Sequence, residues 1–161
     1  MAIQNFSWVI QDKLAGCALP GRPLCNAKED VLADLQDLYS KGIRCLVSLT
    51  DVPDFFGKLC KKAGMEWLYL PIPDFGVPYD VPAFEHLVRE SVKNLENGVP
   101  LCVHCNAGVG RTGFVLASIL GIYLSIDGYD AINKVRDTRL AIETDEQTTF
   151  VNNFLNAVMA R

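Results

Sequence analysis

Residues 101–113 read Leu-Cys-Val-His-Cys-Asn-Ala-Gly-Val-Gly-Arg-Thr-Gly, and an apolar run over residues 114–126 follows them. The first residues favour a β-strand, the glycines favour a tight turn, and the apolar run favours a buried helix. A turn that opens a helix gathers backbone N–H groups and the positive end of the helix dipole around one point. The stretch therefore predicts an anion-binding site between a strand and a helix.

A thiol and a guanidinium share this predicted cradle, because Cys105 begins the loop and Arg111 ends it. The loop amides and the guanidinium both favour a thiolate, which is the nucleophilic form of cysteine. Arginine also binds two phosphate oxygens at once. The phosphate-binding residues are therefore predicted to be Asn106, Ala107, Gly108, Val109, Gly110 and Arg111. We expect sulfur to attack phosphorus, and Thr112 to donate a hydrogen bond to Cys105 when it departs as the leaving group.

The residues of the loop have two alternative interpretations. Cys105 and the glycines are also compatible with a buried small residue at a tight turn. That interpretation explains neither the arginine that ends the loop nor the His-Cys pair before it. An ATP-type phosphate loop requires Gly-Lys-Ser/Thr after its glycines, and that sequence is absent here.

The His-Cys pair, five residues, Arg and Thr over 104–112 resemble the signature of the cysteine-dependent protein tyrosine and dual-specificity phosphatases. Residues 5–9, 14–16, 47–50 and 72–75 are similar to segments of the small atypical dual-specificity phosphatases, so the resemblance covers nearly the whole chain. It implies a protein tyrosine phosphatase-like fold and a phosphocysteine intermediate. It also implies that no metal or other cofactor is required.

Composition is that of a single globular domain spanning residues 1–161, with half of the residues hydrophobic and 21% charged. The net charge of −4 argues against nucleic acid or an anionic membrane as partner. Six scattered cysteines fit a reducing cytoplasm, and Cys102 is interpreted as a core residue. No second Cys-x-x-Cys or paired histidine completes a zinc site with it. No signal peptide is predicted, and the longest apolar run is too short to span a bilayer.

Strand-like and helix-like segments alternate along the chain, which predicts an α/β domain with a central, mostly parallel sheet flanked by helices. Strands are expected at 6–10, 13–18, 43–49, 66–72 and 101–103, the first two antiparallel. Helices are expected at 27–40, 54–63, 82–95, 129–136 and 145–159, together with the apolar run. Ligands of such sheets bind beyond the carboxyl ends of the strands.

Two Pro-Asp-Phe segments compete for the role of general acid, Val52-Pro53-Asp54-Phe55 and Ile72-Pro73-Asp74-Phe75. Asp74 is the predicted acid because prolines and Gly76 keep its loop from being helical, and a mobile loop can deliver a proton and exclude water. Asp54 is instead predicted to be the N-cap of the next helix. A turn-forming role for Asp74 is the alternative.

The family resemblance implies supporting roles for three more residues. His104 would organise hydrogen bonds beneath the loop and help to keep the thiol ionised. Glu143 would orient the loop, and Gln147 would position the water that hydrolyses phosphocysteine. Each has a plainer alternative, since His104 also fits a core histidine, and Thr144 with Gln147 also fits a helix capping box.

A phosphorylated protein or peptide is the predicted substrate, with phosphotyrosine and also phosphoserine and phosphothreonine accepted. No Lys-Asn-Arg-Tyr-like segment predicts a deep phosphotyrosine pocket, and the neutral loop residues disfavour phosphoinositides. A phosphoinositide or RNA 5′-phosphatase and a catalytically weak phosphate-binding module remain alternatives. A monomer is expected. The segment 20–27 receives no role.

Overall fold

The computed structural model describes residues 2–161 and contains a five-stranded sheet in the order β1-β2-β5-β3-β4. The strands are β1 (Ser7–Ile10), β2 (Leu14–Cys17), β3 (Cys45–Ser48), β4 (Glu66–Tyr69) and β5 (Leu101–His104). β1 pairs antiparallel with β2, and the other pairs are parallel. The predicted α/β fold with a mostly parallel sheet and an antiparallel start is therefore confirmed.

Helices cover both faces of the sheet. They are α1 (Lys28–Ser40), α2 (Phe56–Lys62), α3 (Val81–Glu96), α4 (Gly110–Leu124), α5 (Gly128–Arg136) and α6 (Asp145–Met159). Alternation along β5 divides the core, because Leu101 and Val103 pack with α3, α4, α5 and α6 while Cys102 packs with α1 and α2. Because both faces are buried, the central strands β2, β3 and β5 are apolar on both faces, except for Ser48 and His104 at the carboxyl ends of β3 and β5.

α4 is the central helix of the larger core, and its residues from Gly110 to Gly121 are all buried. It contacts α3, α5 and α6. Because protein surrounds these residues, the helix is mostly apolar on all sides and has no polar face toward solvent there. Its amino-terminal end is thereby fixed against the carboxyl end of β5. The predicted placement of the Gly-rich loop between a strand and a helix is confirmed.

The prediction that Asp54 caps a helix is wrong. α2 begins at Phe56, its N-cap residue is Phe55, and no side chain makes a cap hydrogen bond there. The Phe56 N–H instead donates to the carbonyl of Pro53 at 2.9 Å. A backbone turn across residues 53–56 therefore satisfies the first N–H of α2, which the Asp54 side chain was expected to bind.

The carboxyl ends of β2, β3, β4 and β5 meet at one edge of the sheet, because these strands run parallel. The loops that follow them are 18–27, 49–55, 70–80 and 105–109. The loop 105–109, the predicted phosphate-binding loop, and the Asp74 loop are therefore neighbours in space although far apart in the chain.

Candidate active site

The loop 105–109 is held by hydrogen bonds to its outward-facing carbonyl groups. The Leu19 N–H donates to Asn106 O at 2.9 Å, Asn5 Nδ2 to Ala107 O at 3.0 Å, and Arg139 Nη2 to Gly108 O at 2.8 Å. In a trans peptide the N–H points away from the C=O. These bonds therefore turn the N–H groups of residues 107–109 away from the supporting protein, toward the side on which an anion would bind.

Two glycines allow the loop to pack this closely. Gly108 has φ +83°, and a Cβ there would lie 2.5 Å from the carbonyl oxygen of Cys17. A Cβ on Gly110 would collide with the carboxylate of Glu143. Gly108 consequently requires glycine, both for the backbone that it approaches and for its left-handed conformation, whereas a side chain at position 110 would displace only the exposed Glu143 carboxylate.

The thiol of Cys105 lies at the base of the loop and is 3% exposed. Thr112, on the first turn of α4, donates a hydrogen bond from Oγ1 to Cys105 Sγ at 3.1 Å. A hydroxyl donor in this position stabilises negative charge on sulfur. This geometry is compatible with the role predicted for Thr112, a hydrogen bond to Cys105 as the leaving group.

Arg111 lies on the same first turn and is almost fully buried. Its Nη1 donates to the carbonyl of Ile72 at 2.9 Å, and its Nη2 lies 3.3 Å from Asp74 Oδ1. No partner among the described residues reaches its Nε. A buried guanidinium with an unused donor is suited to bind an incoming phosphoryl oxygen.

Asp74 lies on the loop after β4, and its side chain is 57% exposed. Its Oδ1 also accepts the Phe75 N–H at 3.0 Å, and the Gly76 N–H donates to Pro73 O to close a turn. The alternative turn-forming role of Asp74 is therefore present, and it is compatible with the predicted role as general acid, which stays a prediction. The structure brings Asp74, and not Asp54, into contact with Arg111.

A chain of hydrogen bonds runs beneath the loop through His104. Trp67 Nε1 donates to Ser48 Oγ at 2.8 Å, Ser48 Oγ lies 2.6 Å from His104 Nε2, and His104 Nδ1 lies 2.9 Å from Cys105 O. The carbonyl can only accept, so Nδ1 carries the proton and Nε2 accepts from Ser48. Burial lowers the pKa of His104 to about 4. The neutral ring thus orients the Cys105 peptide.

Comparisons with known proteins give the same assignment as this geometry. A family model described as "Polymorphic toxin system, DSP-PTPase phosphatase" matches residues 16–123, more than half of the chain. Cyclin-dependent kinase inhibitor 3 of Rattus norvegicus is 31% identical over 156 residues, which cover 89% of this chain and 72% of that protein. The chain belongs to the dual-specificity phosphatase family. The family resemblance seen in the sequence is thereby confirmed, and with it the prediction that the chain is a phosphatase.

Solved structures of phosphatases share the fold of this family member. A kinase associated phosphatase whose catalytic-site cysteine is replaced by serine superposes with a TM-score of 0.83 at 26% identity, covering 100% of this chain and 98% of the other. The phosphatase Tk-PTP in its active form superposes with a TM-score of 0.77 at 23% identity, covering 94% and 96%. The predicted tyrosine phosphatase-like fold is confirmed.

Glu143 and Gln147, which were predicted to support the dual-specificity phosphatase site, both border it. Gln147 is fully buried, accepts the Glu143 N–H at Oε1, and donates from Nε2 to Gly76 O at 3.2 Å. Thr144 also caps α6, since its Oγ1 accepts the Gln147 N–H at 3.1 Å. The capping and the site-directed roles are therefore compatible, because backbone and side chain of Gln147 serve different partners.

Arg139 is the site residue that sequence reasoning missed. Its Nη1 donates to Ser7 Oγ and Gly16 O, and its Nη2 donates to Asn5 O and Gly108 O, all within 3.0 Å. One buried guanidinium thus ties the amino-terminal segment, β2 and the phosphate-binding loop together in this dual-specificity phosphatase. Nothing in a single sequence distinguishes Arg139 from the exposed Arg136 three residues earlier.

Cys102 is a core residue, as predicted, and its Sγ lies 3.4 Å from that of Cys17. Burial raises the pKa of Cys17, and it raises those of Cys45 and Cys60 to about 12. Thiols of this kind remain protonated and unreactive at neutral pH. Among residues 2–161 no cluster of three or more His, Cys, Asp or Glu side chains is arranged to hold a metal ion.

Proposed function

We propose that this chain hydrolyses phosphomonoesters of protein tyrosine, serine and threonine through a phosphocysteine intermediate. The observation that carries the proposal is the hydrogen bond from Thr112 to the Cys105 thiol at 3.1 Å, at the base of a loop whose carbonyls at residues 106–108 are bound by the surrounding protein. A hydroxyl aimed at sulfur in a phosphate-binding loop is expected when that sulfur must carry charge.

In the first step the Cys105 thiolate attacks phosphorus while the loop N–H groups and Arg111 hold the equatorial oxygens. The bond between phosphorus and the substrate oxygen breaks, and Asp74 delivers a proton to that oxygen. In the second step water attacks the phosphocysteine and gives a proton to the Asp74 carboxylate, the sulfur–phosphorus bond breaks, and Thr112 stabilises the departing thiolate. Glu143, just before α6, borders the loop at Gly110, and Gln147, in the first turn of α6, contacts the Asp74 loop at Gly76, where the water would enter.

The loop N–H groups and Arg111 provide one phosphoryl site, and the remaining loop side chains are neutral. Such a site supports monoesters with a single phosphate at the reacting position. Phe75 and Tyr79 follow Asp74 on the same loop and are largely exposed, so they are accessible to a substrate at the surface. A shallow site admits the short side chains of phosphoserine and phosphothreonine as well as phosphotyrosine.

No helix within residues 2–161 is long and apolar enough to cross a bilayer. We propose a phosphorylated protein as the partner, a cytoplasmic location, and a monomer as the acting species. The acidic net charge of −4 supports a protein substrate over nucleic acid or an anionic lipid surface.

A substrate panel tests the proposal. Phosphotyrosine, phosphoserine and phosphothreonine peptides of one sequence are compared with a phosphoinositide and an RNA 5′-triphosphate, with and without EDTA. Hydrolysis of the peptides, insensitive to EDTA and lost in Cys105→Ser, is expected. Cys60→Ala, which removes a buried thiol on α2, is the control that should retain activity. Tight phosphopeptide binding without turnover would indicate a binding module instead.

A further inference from the structure

The segment 20–27, which the proposed mechanism does not use, lies against the phosphate-binding loop. The Leu19 N–H just before it donates to Asn106 O at 2.9 Å. The Gly21 N–H donates to Asp34 Oδ2 at 2.7 Å, and the Cys25 N–H donates to Gly21 O at 2.9 Å. Asp34 is 3% exposed, so this anchor is internal. Internal hydrogen bonds therefore fix the position of this segment at the rim of the site.

Arg22 extends from this segment to the first residue of the loop after Cys105. Its Nη1 lies 3.4 Å from Asn106 O, a long hydrogen bond to a carbonyl that Leu19 already satisfies. Among residues 2–161 no carboxylate oxygen lies within 4.0 Å of its guanidinium nitrogens. An arginine carries five N–H donors, so most of those on Arg22 are available to a ligand.

Charge changes sign from one end of the phosphate-binding loop to the other. Arg22 lies at the Asn106 end, and the carboxylate of Glu143 lies against Gly110 at the opposite end. A substrate with an anionic group beside its phosphorylated residue is attracted at the first end and repelled at the second. Leu24, two residues after Arg22, is 71% exposed and offers apolar contact on the same segment.

We infer that Arg22 is a specificity-determining residue that binds a second anionic group on a phosphopeptide. This inference rests on the proposed protein phosphatase function. The phosphoryl group occupies the loop itself, so the second anion belongs to a residue next to the phosphorylated one. A carboxylate and a second phosphate present the same paired oxygens to a guanidinium, and both are ligands of Arg22.

Three phosphotyrosine peptides test the inference. They differ only in the neighbouring residue, which is Gln, Glu or phosphoserine. With the wild-type protein, kcat/KM is expected to be roughly three- to tenfold higher for each anionic peptide than for the Gln peptide, as a partly exposed charge pair provides. The difference resides in KM and shrinks at high salt because exposed charges are screened.

Arg22→Gln should remove this preference, and Arg22→Lys should retain part of it. Lys13→Gln is the matched control, since it removes one positive charge from an exposed position in the turn between β1 and β2, at the opposite end of the sheet. It should leave the preference intact. A preference for the phosphoserine peptide alone would assign Arg22 to a second phosphate rather than a carboxylate.

An equal loss of kcat/KM for all three peptides in Arg22→Gln would overturn the inference, because Arg22 would then only support the loop. A preference that survives Arg22→Gln would also overturn it. In both cases hydrolysis by the wild type leaves the proposed function standing. Absence of hydrolysis of every peptide, or a phosphoinositide preferred over all of them through Arg22, would reject the protein phosphatase function itself.

Discussion

Asp74 Oδ1 lies 3.3 Å from Arg111 Nη2, so the proposed proton donor and the proposed phosphate-binding cation are partners in this structure. Phosphate binding requires the guanidinium to turn part of its donor set to the phosphoryl oxygens. The phosphoryl group and Asp74 therefore compete for the same guanidinium. We expect phosphate binding to free the Asp74 side chain to reach the substrate oxygen.

Asp74→Asn should slow the enzyme according to the leaving group. Loss of a general acid costs about 10²–10⁴-fold when the departing oxygen is strongly basic, and much less when it leaves easily. We expect phosphoserine peptides to lose far more kcat/KM than para-nitrophenyl phosphate. Asp54→Asn, in the look-alike Pro-Asp-Phe segment, is the control. Equal losses on both substrates, or a larger loss in the control, would remove Asp74 from this role.

Thr112→Val should slow the breakdown of the phosphocysteine. The lost hydrogen bond to a charged sulfur is worth about 1.5–3 kcal/mol, which corresponds to about tenfold or more in rate. Rapid-quench measurements should show a burst of released alcohol followed by a slower steady state. Thr112→Ser keeps the hydroxyl and should restore the rate. A variant with normal steady-state turnover would show that Thr112 only fills space.

His104 makes the free energy of unfolding depend on pH. The folded pKa of about 4 lies below the value of 6.5 of a free histidine, because burial disfavours the charged ring. Between pH 6.5 and 4 the unfolded chain binds a proton that the folded chain does not. Stability from this group is therefore complete above pH 6.5 and falls by about 3 kcal/mol as the pH decreases to 4.

Urea unfolding across this pH range measures the loss, and NMR titration of the ring signals identifies its source. The His86→Gln variant leaves His104 as the only histidine and makes the assignment direct. A ring that is protonated in the folded protein at pH 6 would contradict the hydrogen-bond chain from Trp67 to Cys105.

Arg139→Lys should destabilise the fold and weaken phosphate binding together. Lysine lacks the planar fork that reaches four oxygens, so at least two buried acceptors lose their partner, at a cost of about 2–4 kcal/mol. Thermal unfolding and inhibition by inorganic phosphate measure the two effects. Arg89→Lys changes an exposed arginine on α3, where lysine can keep the ion pair with Glu85, and should show neither effect. A destabilised variant with normal phosphate inhibition would confine Arg139 to a role in folding.

The local sequence was sufficient to predict which residues form the loop at the centre of the site. It was insufficient to predict the residues elsewhere in the chain that hold this loop in place. The loop 105–113 is contiguous, so the residue types and their spacing determine which groups meet around a phosphate. The supports come from Asn5, Leu19 and Arg139, which reach the loop only after the sheet has formed. The prediction for Asp54 is wrong because of a local backbone contact. The Phe56 N–H, at the start of α2, donates to the carbonyl of Pro53 and not to the Asp54 side chain.

The central claim is that Cys105 carries the phosphoryl group during turnover. Rapid quenching of the wild-type protein with a phosphate-labelled phosphotyrosine peptide, followed by peptide mapping, measures this directly. We expect label on Cys105 in the wild type, more of it in Thr112→Val, and none in Cys105→Ser, which should also be inactive. Full turnover by Cys105→Ser, or label on any other residue, would contradict it.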